Sequence, residues 1–169
     1  MYLYRDPVQV MKSHLNKPGT NRAVCLRSRK RPQADYLNMI QKISKTEPED
    51  LSSEQSCAAH LATLCEAAEK EIIDSEGLGR LVNYSELPSV LVDDIIPNHF
   101  LRQKEELSSD VKQRIMDVNA VYSKRRESKR VWSEDSKEKE ESAWQEMKDA
   151  AAEFMKPVYE RMEAIRRGQ

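Results

Sequence analysis

Met1-Tyr2-Leu3-Tyr4-Arg5-Asp6-Pro7-Val8-Gln9-Val10-Met11-Lys12-Ser13-His14 reads as a strand running straight into a helix N-terminus. Tyr2, Leu3 and Tyr4 are residue types that favour a pleated, half-buried surface. Asp6 suits the N-cap, where its carboxylate can accept orphan backbone N–H groups, and Pro7 suits the first helical position, where a missing N–H costs nothing. An arginine at a strand end, a serine eight residues on and the positive end of a helix dipole together make a receptor for a phosphate dianion. Spacing alone also allows Arg5 to pair with Asp6 or with a nearby helix end.

A second stretch matters for the same reason. Gly77-Leu78-Gly79-Arg80-Leu81-Val82-Asn83-Tyr84-Ser85-Glu86-Leu87-Pro88 predicts a strand at 80–84 that ends in an aromatic ring. Such a ring gives a purine a flat surface to lean on. The wording Tyr4-Arg5-Asp6-Pro7-Val8 followed by Ser13-His14 resembles the 3′-phosphate-binding segment of the sulfotransferase family. Its enzymes move a sulfuryl group from 3′-phosphoadenosine 5′-phosphosulfate (PAPS) to an alcohol, phenol or amine. The Tyr84 stretch is similar to the strand that carries that family's adenine contact. Ile96-Pro97-Asn98-His99-Phe100 and Val131-Trp132-Ser133-Glu134-Asp135-Ser136-Lys137-Glu138-Lys139 resemble late segments of bacterial-type members.

The resemblance implies that Arg5 and Ser13 hold the 3′-phosphate and that Tyr84 lies against the adenine. It also implies that Lys124, Arg125 and Arg126 form the late basic loop that closes over the phosphate, although no glycine follows them as it does in the family. PAPS is the implied co-substrate, with no metal, and the acceptor is a small molecule or carbohydrate that the residues do not identify. The family's lysine-serine-glycine-threonine loop, which wraps the 5′-phosphosulfate, is absent from these 169 residues. Gly77 and Gly79 precede a strand instead of following one, the wrong side for a phosphate cradle, and fit a helix C-terminus better. The expectation is therefore the C-terminal portion of the family domain, a single unit over 1–169, inactive by itself and with its catalytic base unassigned.

Elsewhere the periodicity predicts helices. One runs from about Asp35 to Ser44 with Leu37, Ile40 and Ile43 inward. The next is capped by Ser52 or Ser53, with Gln55 answering Ser52 in a capping box and Cys57, Ala58, Leu61, Leu64, Cys65, Ala68 and Ile72 at helical spacing. It stops at Gly77 or Gly79, and Pro88 opens a short helix that ends near Pro97. Ser108 or Ser109 starts a segment to about Ser123 with Val111, Ile115, Val118 and Val121 inward. Ala143, Trp144, Met147, Ala151, Phe154, Met155, Val158, Met162 and Ile165 form a last apolar stripe that Pro157 interrupts. Strands near 1–5 and 80–84 alternating with helices predict an α/β chain. It would be mostly helical, an incomplete parallel sheet flanked by helices in the P-loop NTPase-like manner of sulfotransferases. Its unpaired strand edges predict self-association.

Composition sets the outer bounds. Hydrophobic residues make up 38% of the chain and charged residues 34%, with a formal net charge of −1, and no apolar run approaches the ~20 residues that cross a bilayer. Residues 1–32 nevertheless carry eight Lys or Arg against the single Asp6, a local balance of +7. Residues 16–32 hold no aromatic side chain that would stack on a base, which disfavours nucleic acid as the partner. The odd cysteine count, Cys25, Cys57 and Cys65, suggests a reducing, cytoplasmic setting, with Cys57 and Cys65 as small core residues on one helical face. His14, His60 and His99 are scattered in sequence and read as surface or core residues.

Overall fold

A computed structural model describes residues 1–101, 107–119 and 135–169. Two compact units are present, Met1–Val82 together with Ser136–Gln169, and Asn83–Asp135.

The first unit is organised by its longest helix. β1 (Tyr2–Tyr4) leads into α1 (Pro7–His14), whose N-cap Asp6 accepts from the backbone N–H groups of Val8 at 2.9 Å and Gln9 at 3.1 Å. A tight turn at Val24–Leu26 and one helical turn, α2 (Arg27–Lys30), cross the basic stretch, and α3 (Ala34–Ile43) follows. α4 (Ser53–Asp74) begins with the capping box expected of its sequence: the Gln55 N–H donates to Ser52 Oγ at 3.1 Å and the Ser52 N–H to Gln55 Oε1 at 3.2 Å. Ser56, Cys57, Ala58, Ala59 and Ala62 are all buried. Their small side chains let the Val24–Leu26 turn, α3 and the C-terminal helices pack closely on one helix.

The α4 terminus is specified by glycine. Gly77 has φ of +88°, a conformation that costs a glycine little. Gly79 has no room for a side chain, since a Cβ would lie 2.6 Å from both Ile72 Cδ1 and Ser75 Oγ. β2 (Leu81–Asn83) then pairs with β1, the Tyr2 N–H donating to the Arg80 carbonyl at 2.8 Å.

After α6 (Ser136–Glu141), α7 (Gln145–Ala150) and α8 (Lys156–Arg167) form one nearly continuous rod, joined by a wider turn at Ala151–Met155 just before Pro157. A proline has no N–H to continue the ladder and its ring displaces the preceding carbonyls, so a local widening there is its expected consequence. Ala143 and the rod's Met147, Ala151, Phe154, Met155, Val158 and Met162 are buried, while Trp144 and Ile165 of the stripe read from the sequence are half-buried. Arg161 clasps Glu69 with Nε and Nη2, both at 2.7 Å, which ties α8 to α4.

The α/β expectation is overturned. Among the described residues 68% are helical and the sheet is one parallel pair of three-residue strands, neither an incomplete parallel sheet flanked by helices nor a P-loop-like arrangement. The burial explains it: the large fully buried side chains lie mainly on helices, while β1 buries only Tyr4. The outer edge of β2 is also covered, because the Leu81 N–H donates to Gln169 Oε1 at 3.0 Å. Within α3 the inward face is Tyr36, Met39 and Ile40; Leu37, expected inside, is exposed, because the Tyr36 ring buries more area on the competing stripe.

In the second unit, Asn83 Oδ1 accepts from the Ser85 N–H at 3.0 Å and fixes a tight turn at Tyr84–Glu86. A wide helical segment, Leu91–Phe100, follows and accommodates Pro97, and α5 (Ser109–Asn119) starts with Ser108 accepting from the Val111 N–H at 3.4 Å. Lys112 of α5 pairs with Asp93 at 3.4 Å. Val111 and Val118, expected to face inward, are exposed, Val118 at 74%. Val121 and Ser123 lie outside the described residues.

Candidate functional site

The strand-to-helix junction has the form that its sequence predicts. β1 ends at Tyr4, Arg5 follows, Asp6 caps and Ser13 sits on the second turn of α1. Tyr4 is anchored beneath it. Its hydroxyl donates to Glu163 of α8, which also holds Arg166 at 2.8 Å, and its ring meets Tyr159 edge-on at 5.7 Å. Burial is the main cause that pushes the Tyr4 phenol well above its ordinary range, so it stays a donor to Glu163 at any physiological pH.

Two contacts direct the Arg5 guanidinium. Nε donates to Gln9 Oε1 at 2.5 Å, and Nη2 donates to Ser136 Oγ at 2.9 Å. Gln9 is buried and its amide in turn donates to Glu140 of α6. The arginine is thus oriented by the helix that follows it and by α6, 131 residues further along the chain. Ser13 is exposed, and its hydroxyl donates to the Gln9 carbonyl at 3.0 Å, the back-bond that a mid-helix serine commonly makes. The Asp6 carboxylate occupies the first free amides of α1, those of Val8 and Gln9, so an anion at this junction meets the Arg5 and Ser13 side chains and not those amides.

Tyr84 belongs to the second unit, half-buried, in the turn that Asn83 caps. Lys124, Arg125 and Arg126 lie outside the described residues, as do 131–134 of the late segment.

A different cluster escaped the sequence reading. Cys25 and Cys57 form a disulfide, Cα to Cα 4.8 Å, which corrects the expectation of reduced core cysteines; Cys65 alone is free, and burial pushes its thiol up. One helical turn beyond each bonded cysteine stand Ser28 and His60, and Ser28 Oγ lies 2.7 Å from His60 Nδ1. Burial, and next the charge of His14, lower the His60 pKa, and a neutral ring with its proton on Nε2 would accept from Ser28 at Nδ1. Tyr36 Oη and Ser56 Oγ are buried at this end of α4, and burial, only partly offset by Ser56, pushes the Tyr36 phenol above its ordinary range. Ser56 is four residues before His60, on the same face of α4.

Cys25 and Ser28 of this cluster belong to the basic stretch. Arg29 Nη2 donates to the Glu49 carbonyl at 3.0 Å, while Arg22, Arg27, Lys30 and Arg31 are exposed and make no ion pair among the described residues. No group of three or more His, Cys, Asp or Glu among the described residues has metal-site geometry. No described helix is long and apolar enough to cross a membrane. No protein-family model, curated protein or solved structure matches the chain, so the resemblance of its motifs stands on the residues that carry it.

Proposed function

We propose that this chain binds the adenosine 3′-phosphate part of PAPS at the β1–α1 junction. In this role it acts as a sulfotransferase-family component for transfer to a hydroxyl or amine acceptor, a small molecule or carbohydrate. One observation supports the reading above others: Arg5 leaves β1 with its guanidinium oriented by Gln9 and Ser136, and Ser13 stands two turns along the helix that begins beside it. A phosphate placed against Arg5 gains a charge-assisted contact, and Ser13 can exchange its back-bond to Gln9 for a bond to the anion at little cost. Tyr84, Lys124, Arg125 and Arg126 complete the reading by resemblance. Without a 5′-phosphosulfate loop in these residues, the chain by itself binds and does not transfer.

The test is calorimetric titration with adenosine 3′,5′-bisphosphate and with adenosine 5′-phosphate. The bisphosphate binds more tightly, and Arg5→Ala lowers its affinity by about tenfold or more, the loss of one charge-assisted contact. Equal affinities for the two nucleotides, or an Arg5→Ala variant that binds like the parent, would overturn the assignment.

A second reading, a helical polyanion-binding protein, has its own observation in the exposed Arg22, Arg27, Lys30 and Arg31, which make no ion pair among the described residues. It requires affinity for a sulfated or phosphorylated polymer that falls steeply with salt and is insensitive to Arg5→Ala. The Cys25–Cys57 bond argues against a cytoplasmic location, because cytosolic thiols keep such pairs open.

A further inference from the structure

Two features that the nucleotide reading leaves unused coincide in space, the disulfide and the Ser28–His60 pair. The disulfide joins the Val24–Leu26 turn to α4, and the same offset of three residues from each cysteine leads to Ser28 and to His60. One helical turn on each side therefore carries the cross-link's geometry to the polar pair. A hydroxyl 2.7 Å from an imidazole nitrogen has the separation at which a base takes a proton from a nucleophile. Both residues are half-buried, with neither sealed in the core.

We propose that Ser28 is a nucleophile activated by His60 toward small carboxylic esters, with the Cys25–Cys57 disulfide as the positioning element. In the first step the Ser28 hydroxyl proton passes to His60 Nδ1 as Oγ bonds to the ester carbonyl carbon. The ester C–O bond then breaks, and the departing alkoxide takes the proton from His60. Water reverses the sequence: it gives a proton to His60 as its oxygen bonds to the acyl carbon. The bond to Ser28 Oγ breaks, Ser28 recovers its proton and a carboxylic acid leaves. Water is the one co-reactant, and the steps need no oxidant. Arg27 and Arg29 flank Ser28 in sequence, so an ester carrying an anionic group is favoured over a neutral one.

A fluorophosphonate probe tests this directly, since it stays covalently on an activated serine. The full-length oxidised chain is incubated with the probe and the labelled peptide is identified by mass spectrometry. The expected result is label on Ser28, none in Ser28→Ala, and labelling at least tenfold slower in His60→Gln and after reduction of the disulfide. Hydrolysis of 4-nitrophenyl acetate shows a burst of about one equivalent per chain that Ser28→Ala removes. Where His60→Gln lowers the melting temperature, labelling of the parent chain in native buffer is compared with labelling in denaturing urea. Absence of label on Ser28 in the folded chain, an undiminished rate in a folded His60→Gln variant, or equal rates in the folded and denatured parent chain overturns the proposal.

Discussion

Reduction of Cys25–Cys57 should remove a large share of the stability of the first unit. The bond closes a loop spanning a sequence separation of 32 residues. In the chain-entropy treatment, a closed loop of about that length removes on the order of 12 cal/mol/K from the unfolded ensemble, equivalent to about 3.7 kcal/mol at 25 °C. For a chain of this size that corresponds to a fall in Tm of roughly 7–15 °C. The loss also concentrates locally, since the basic stretch between α1 and α3 loses its covalent tie to α4. The measurement is a pair of urea or thermal melts on the oxidised protein and on the Cys25→Ala/Cys57→Ala double variant, whose small side chains leave the packing nearly unchanged. Thiol counting under denaturing, non-reducing conditions should find one alkylated cysteine per chain, Cys65. Three alkylated cysteines in protein from an oxidising compartment, or a double variant melting within about 2 °C of the parent, would refute the reasoning at its first or its second step.

Three other perturbations test the packing. Gly79→Ala puts a methyl group into space held by Ile72 and Ser75 and breaks the 2.7 Å bond from the Gly79 N–H to Ser75 Oγ, so denaturant melts should show a loss of about 1–3 kcal/mol. Phe154→Ala, at 1% exposure in the turn between α7 and α8, should cost about 3–5 kcal/mol in the same melts, whereas Leu37→Ala on the outer face of α3 should stay below about 1 kcal/mol. His60 has a folded pKa below its unfolded value of about 6.5, so the unfolded state binds the extra proton; its contribution is complete above that value and is lost as pH falls from there through the folded pKa. Melts at pH 7.5 and pH 5.5 should therefore show a decline that shrinks in His60→Gln.

The helices that were legible in the sequence are those whose ends carry their own chemistry. Ser52 and Gln55 satisfy each other's backbone, Asp6 accepts from Val8 and Gln9 while Pro7 needs no donor partner at the first position of α1, and Gly77 and Gly79 end α4, because each device needs only residues within one turn. Faces were harder to read than ends. In α3, residues 36, 39, 40 and 43 and residues 37, 40 and 43 are both helical stripes, and only the packing of the Tyr36 ring decides between them. In α5 the Val111, Ile115 and Val118 stripe exists, but periodicity shows that a face is apolar without showing that anything covers it. The sheet failed for a related reason: strand propensity at 1–5 and 80–84 is local, whereas the number of strands depends on what else the chain can pair, and the helices bury most of the apolar area instead.

The Ser28–His60 pair lay beyond periodicity altogether, because 32 residues separate its members and one of them sits in a stretch that reads as basic loop. A signal was nonetheless present in the spacing. Cys25-Leu26-Arg27-Ser28 and Cys57-Ala58-Ala59-His60 place a polar partner at the same offset from each cysteine. Two helical turns joined at one residue must bring together what lies one turn further along both, provided that they run side by side in the same sense. A cysteine pair with matched offsets to a hydroxyl and an imidazole is thus a tertiary prediction that needs one assumption, the disulfide. The thiol count tests that assumption independently of any activity. Should the count find the bond and the probe fail to mark Ser28, the cross-link would be a staple for the basic stretch alone, and the 2.7 Å contact a satisfied hydrogen bond with no chemistry behind it.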